Sequence, residues 1–250
     1  METDPISPVV RRIFIWSAPA LFVIATVSIV VLMRLLLPAP HPAWSAERIA
    51  GVYRDNQIGI LVGCFIFLAF CTLLVSWAAI LIGQCRRIEG RYPFLIYAQM
   101  MYAVANFMIA IMVNVLWAVA AFRAHDISPE ITRALNDVAF FFFTFAWSPG
   151  AAWFLIVALT VFSDKSPQPL YPRWVGYFSL WCALLEVPAG LVAFFKSGPF
   201  AYDGLISLYI PLAIFFVWMI GLTVAMLKVQ SRDELHAQAG GSDVTAGTVS

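Results

Sequence analysis

The stretch Trp174–Phe195, WVGYFSLWCALLEVPAGLVAFF, is long and apolar enough to cross a bilayer, yet it holds one carboxylate, Glu186, close to its middle. About 20 apolar residues rising 1.5 Å each span the hydrocarbon layer. An acid at that depth costs about 3 kcal/mol on insertion scales, so it turns toward a bundle interior or a wet cavity. Ser179, Cys182, Ala183, Ala189 and Gly190 share the helix face of Glu186 and are all polar or small, whereas Phe178, Trp181 and Leu185 lie elsewhere. That face is expected to meet sister helices. Pro188 breaks the helix two residues further on.

The rest of the chain supplies those helices. It has 250 residues, 62% of them hydrophobic and 12% charged, against roughly half and a quarter in soluble domains. Apolar runs over 13–37, 58–83, 94–122, 138–162, 174–195 and 205–228 each read as a span. The first run is too long for the h-region of a cleaved signal peptide. Between the first two spans, Ser45 has the look of an N-cap. Behind it Ala46, Ile49, Ala50 and Tyr53 recur at helical spacing, as in a short helix lying on the membrane surface. Ser128 and Pro129 start a second such piece, which is expected to run straight into the fourth span. The chain thus reads as an all-α polytopic membrane bundle of six transmembrane helices with short outer amphipathic helices. Residues 1–228 form the transmembrane domain, and the polar stretch 229–250 reads as a disordered cytoplasmic tail.

Nine of the 15 lysines and arginines (Arg11, Arg12, Arg86, Arg87, Arg91, Lys165, Arg173, Lys228 and Arg232) fall on the side of the N-terminus. The positive-inside rule then puts both termini in the cytoplasm. A net charge of +1 without a basic patch gives no reason to expect nucleic acid.

Placed on a depth scale of 1.5 Å per residue, Glu186, Asn106 of the third span and the Ser148-Pro149-Gly150 break of the fourth fall together near the midplane. Gln99, Asn106 and Asn114 lie along one stripe of the third span, and Trp218 lies on the small-residue face of the sixth. Glu186, Asn106, Ser148, Gln99, Asn114 and Trp218 are therefore the candidate ligand-binding residues. His41, His125 and His236 all lie outside the spans, and Cys64, Cys71, Cys85 and Cys182 form no CxxC pair. Neither a metal site nor a cofactor is expected. No Walker, HExxH or GxSxG motif is present, and no catalytic residue can be assigned. Gly59 and Gly63 are spaced for close approach of two helices, with another part of this chain as the default partner and a homo- or hetero-oligomer as the alternative.

At RRIEGRYPFLIYAQ (86–99), and again at YPRWVGYFSLW (171–181) and KSGPFAYDGLISLYIPL (196–212), the chain resembles a family of bacterial six-helix integral-membrane proteins of no assigned activity. The resemblance implies a bacterial inner membrane and carries over no catalytic or ligand residue. Three roles stay open at this point. One is binding or carrying a small lipid-like molecule in a midplane pocket around Glu186. The second is a non-catalytic membrane subunit or scaffold, in which Glu186 only joins helices. The third is an intramembrane acid-catalysed isomerase or cyclase of an apolar substrate. Binding is favoured over catalysis, because only one acid is at hand.

Overall fold

The computed structural model of the chain describes residues 7–90 and 92–247. The first span is α1 (Pro8–Thr26), continued by a π-helical segment, Val27–Leu32. Outside it lies α2 (Ala46–Asp55). The second span is α3 (Gln57–Cys71) followed by α4 (Leu73–Cys85), and the third is α5 (Phe94–Phe122). The fourth is divided into α6 (Pro129–Thr144) and α7 (Ser148–Ser163). The fifth is α8 (Arg173–Glu186), tightened into 3-10 turns over Val187–Phe194. The sixth opens on a π-helical segment, Leu205–Tyr209, and runs on as α9 (Ile210–Gly247). Among the described residues, six helical stretches are long and apolar enough to cross a membrane. This is the architecture of an all-α, multi-pass membrane protein.

Neighbours in sequence are neighbours in space. The first span packs on the second, the second on the third, and so on to α8 on α9, while α9 returns to α1. The six spans thus close into a ring, as short connections between antiparallel helices favour. The end of the ring nearest the N-terminus is plugged by three indoles. Trp77, Trp153 and Trp218 meet edge to face, with centroids 5.4–6.2 Å apart. Two of the three indole N–H groups find acceptors, and that of Trp153 has none among the described residues. The Trp77 N–H donates to Thr223 Oγ1 at 3.0 Å and that of Trp218 to Ser179 Oγ at 2.9 Å. The opposite end is plugged by a polar cluster. Tyr53 donates to Asn136 Oδ1 at 2.9 Å, Asn136 Nδ2 to the Tyr202 hydroxyl at 3.1 Å, and Tyr202 to Asp137 at 3.0 Å. Between the two plugs the middle of the ring is left to smaller and irregular elements.

Three features differ from those the apolar pattern predicts. The first span ends at Leu32 and not at residue 37. Arg34 takes a positive φ of 55° there, and the chain folds back to bury Met33, Leu35 and Leu36. The carbonyls left open at the helix end are taken by the Asn56 amide, 2.8 Å from Leu32 O and 2.9 Å from Met33 O. Helix α2 starts on Ser45, whose hydroxyl accepts from Arg48 N at 3.3 Å. Its apolar face, which includes Ile49 and Tyr53, is buried against α6, so the bundle and not lipid covers it.

The third difference is the tail. The stretch 229–250 reads as disordered, but helix α9 continues without interruption from the span to Gly247. Its first two turns beyond Lys228 dock on the ring. Gln230 donates to Pro8 O at 2.7 Å, Arg232 to Pro169 O at 3.3 Å, Asp233 pairs with Arg87 at 2.7 Å, and Glu234 pairs with Arg12. Polar composition hid these contacts because each joins a tail residue to a partner remote in sequence. Arg91 of the basic count and the last three tail residues, 248–250, lie outside the described residues.

The turn between the fourth and fifth spans is held by one carboxylate. Asp164 is buried, with Oδ1 accepting from the Ser166 hydroxyl at 2.7 Å and Ser166 N at 3.0 Å, and Oδ2 accepting from Leu170 N at 2.7 Å. Burial pushes this carboxyl up. The hydrogen bonds from Ser166 and Leu170, with Arg173 nearby, outweigh that and hold it below the usual carboxylate range. A depressed folded-state pKa contributes stability that is full above the unfolded value and is lost as pH falls through the folded one. Asp164→Asn keeps one acceptor of the two, so about 2 kcal/mol of stability is lost at neutral pH. Its thermal midpoint should also fall less steeply than that of wild type as the solution is acidified.

Candidate functional site

Glu186 is the last residue of α8. Pro188 has no N–H to continue the α-helical ladder and its ring crowds the carbonyl of Leu184, so the chain tightens into 3-10 turns there. The Glu186 side chain is held inside the ring at 7% exposure. Among the described residues its carboxyl has no hydrogen-bond partner. Buried carboxyls are as a rule paired or hydrogen-bonded, so this one stands out.

It opens onto a cavity of about 180 Å³ to which every span contributes: Leu21, Phe67, Asn106, Trp147, Glu186 and Phe215 represent the first to the sixth. Irregular parts of four spans reach the wall. Ile29 comes from the π-helical end of the first span, and Trp147 and Gly150 from the break in the fourth. Glu186 stands at the onset of the 3-10 turns, and Ser207 and Leu208 come from the π-helical start of the sixth. Irregular backbone at membrane depth is tolerated where it is buried in protein or lines a cavity. Wide π turns recur at functional sites.

The polar groups of the cavity are few. Asn106 Nδ2 donates to Tyr102 O at 2.8 Å, while its Oδ1 faces the bare backbone of Gly150, 3.5 Å from where a Cβ would stand. The Ser207 hydroxyl donates to Phe200 O at 2.8 Å. The Trp147 indole abuts Gly190, one turn beyond Glu186, where a Cβ would stand 2.5 Å from Nε1. Glycine at 190 is thus what admits this ring to the cavity wall.

Of the six residues singled out from the sequence, Glu186 and Asn106 line the cavity and the other four do not. Ser148 is exposed, because α7 begins on it and the break turns its neighbours Trp147 and Gly150 inward instead. Gln99 is fully buried nearer the N-terminal end, donating to Thr160 Oγ1 at 2.9 Å. Asn114 lies about 12 Å along α5 from Asn106 and bonds back to Ala110 O at 2.9 Å. Trp218 belongs to the indole plug. Trp147 was not among the candidates. The aromatic run Phe140–Phe143 with Phe145 and Trp147 reads as lipid contact or packing, and the signal that sets Trp147 apart is its position directly before Ser-Pro-Gly.

Cys71 lines the cavity, and all four cysteines are free and buried. No group of three or more His, Cys, Asp or Glu side chains placed to hold a metal occurs among the described residues. No protein-family model matches the chain, and no curated protein and no solved structure matches it either.

Proposed function

We propose that the protein binds, and carries within the membrane, a small and largely apolar molecule that occupies the midplane cavity and engages Glu186. The observation that supports this reading best is the Glu186 carboxyl itself, 7% exposed, turned into the cavity and without a hydrogen bond among the described residues. An acid kept as structural glue would bond across to a neighbouring helix; this one is free to bond to a guest. An engineered apolar cavity of about 150 Å³ takes up benzene, so about 180 Å³ suits a single ring or a short branched chain. Breaks near the midplane resemble those at transporter binding sites. Acid catalysis has less support, since a partner base is missing among the cavity residues. The basic residues and the family resemblance favour a bacterial inner membrane with both termini in the cytoplasm.

Native mass spectrometry of the protein released from nanodiscs tests the reading. Wild type is expected to carry a small adduct, and Glu186→Gln to lose it while melting within about 3 °C of wild type. Glu186→Leu should melt at or above the wild-type temperature, because no hydrogen bond is lost. A fall of about 10 °C in Glu186→Leu would make the carboxyl a structural bond and remove the basis for a binding site.

A further inference from the structure

We infer that the guest is an organic monocation: an amine or quaternary ammonium on an aromatic or branched apolar body, with Glu186 as its counter-charge. This rests on the binding reading above and narrows it. The cavity's free polar atoms are mostly acceptors. Glu186 offers two carboxyl oxygens with no partner among the described residues, and Asn106 engages one of its two amide N–H groups with Tyr102 O and leaves its Oδ1 toward Gly150. The Ser207 hydroxyl has given its proton to Phe200 O and keeps only lone pairs. The donors left in the wall are the second Asn106 N–H and the Trp147 indole, which lies against Gly190.

The remainder of the wall is aromatic and aliphatic. Phe67, Phe143, Trp147, Phe215 and Phe216 come from three different spans. Ring faces attract a cation through their quadrupole, more strongly when water is absent, and cages of this kind are how quaternary ammonium groups are recognised. Among the described residues, no lysine, arginine or histidine lines the cavity to compete for the carboxyl; Cys71 in the wall and Cys182 on its own helix are the other titratable groups beside it. An anion would meet no positive partner here. A bare metal ion would need several oxygen ligands, which this wall does not assemble. A neutral hydrocarbon would gain nothing from an acid retained at a costly depth.

The test uses benzyltrimethylammonium and neopentylbenzene, which share one shape and differ in charge. Both are titrated calorimetrically into nanodiscs holding wild type, Glu186→Gln or Ala110→Phe, with empty nanodiscs as reference. Wild type should bind the cation at least about tenfold tighter than the hydrocarbon. Glu186→Gln should lose that preference while still binding the hydrocarbon, which also shows that its cavity is intact. Equal affinities in wild type, or a preference that survives in Glu186→Gln, would overturn the inference and leave the apolar pocket standing. Wild type binding neither probe would overturn both readings. Should Glu186→Gln bind neither, Glu186→Asp decides: retained cation preference supports the inference, and its loss overturns it.

Discussion

Ala110→Phe abolishes guest binding and leaves the ring folded. Ala110 lies on α5 one turn beyond Asn106 and lines the cavity. In a close-packed core a gain of that size costs about 1–3 kcal/mol in displaced neighbours. Here the added ring has about 180 Å³ of space to enter, so the thermal midpoint should hold or rise slightly. The same ring occupies the volume the guest needs. Affinity is expected to fall by about a hundredfold, near 2.7 kcal/mol, measured with the nanodisc titration. A large loss of stability together with unchanged binding would place the cavity elsewhere.

The second large effect is on folding, at Gly59→Val. Gly59 and Gly63 open α3 and lie against the end of the first span. A Cβ on Gly59 would come 2.6 Å from the Leu32 carbonyl oxygen and 2.2 Å from Asn56 Oδ1, and one on Gly63 would come 2.6 Å from Met33 Cγ. The backbone at Leu32 cannot withdraw without also losing the Asn56 bonds that close the helix end. Valine should therefore cost about 3 kcal/mol or more, a drop of about 10 °C in melting temperature. Gly83→Ala on α4 is the control: a Cβ there meets nothing within 4 Å, and replacing a mid-helix glycine should be neutral or gain about 0.5–1 kcal/mol.

These two residues also show what the sequence could and could not reveal. All six spans are legible, and Phe94–Phe122 coincides with its apolar run to the residue, because bilayer thickness fixes the length of an apolar stretch. The small-residue spacing of Gly59 and Gly63 announces a close contact, and the structure supplies its other half in the π-helical end of the first span. Where that span stops is another matter. It depends on Asn56, 24 residues from the carbonyl it caps at Leu32, and no local pattern carries that information.

The site follows the same division. A costly residue such as Glu186 identifies itself by depth alone, and Asn106 by sharing that depth. A helical stripe fixes a face but not a level, which is why Gln99 and Asn114, two turns either side of Asn106, are buried with other partners. Ser148 illustrates a different limit. A proline break shows where a helix is interrupted, but which flanking side chain turns inward depends on the rotation of the two halves. Here that rotation brings in Trp147, and its fit depends on Gly190 of another span.

The central claim is that Glu186 faces a cavity lined by the six spans and not the lipid. Labelling by a membrane-soluble carbodiimide, located by peptide mass spectrometry, tests it directly when wild type and Ala110→Phe are compared in the same nanodiscs. Modification of Glu186 should be slower in the variant by about tenfold, since the phenylalanine ring occupies the space the reagent must enter. Equal labelling of the two proteins would mean that the carboxyl is reached from the lipid side, and the cavity account would be wrong.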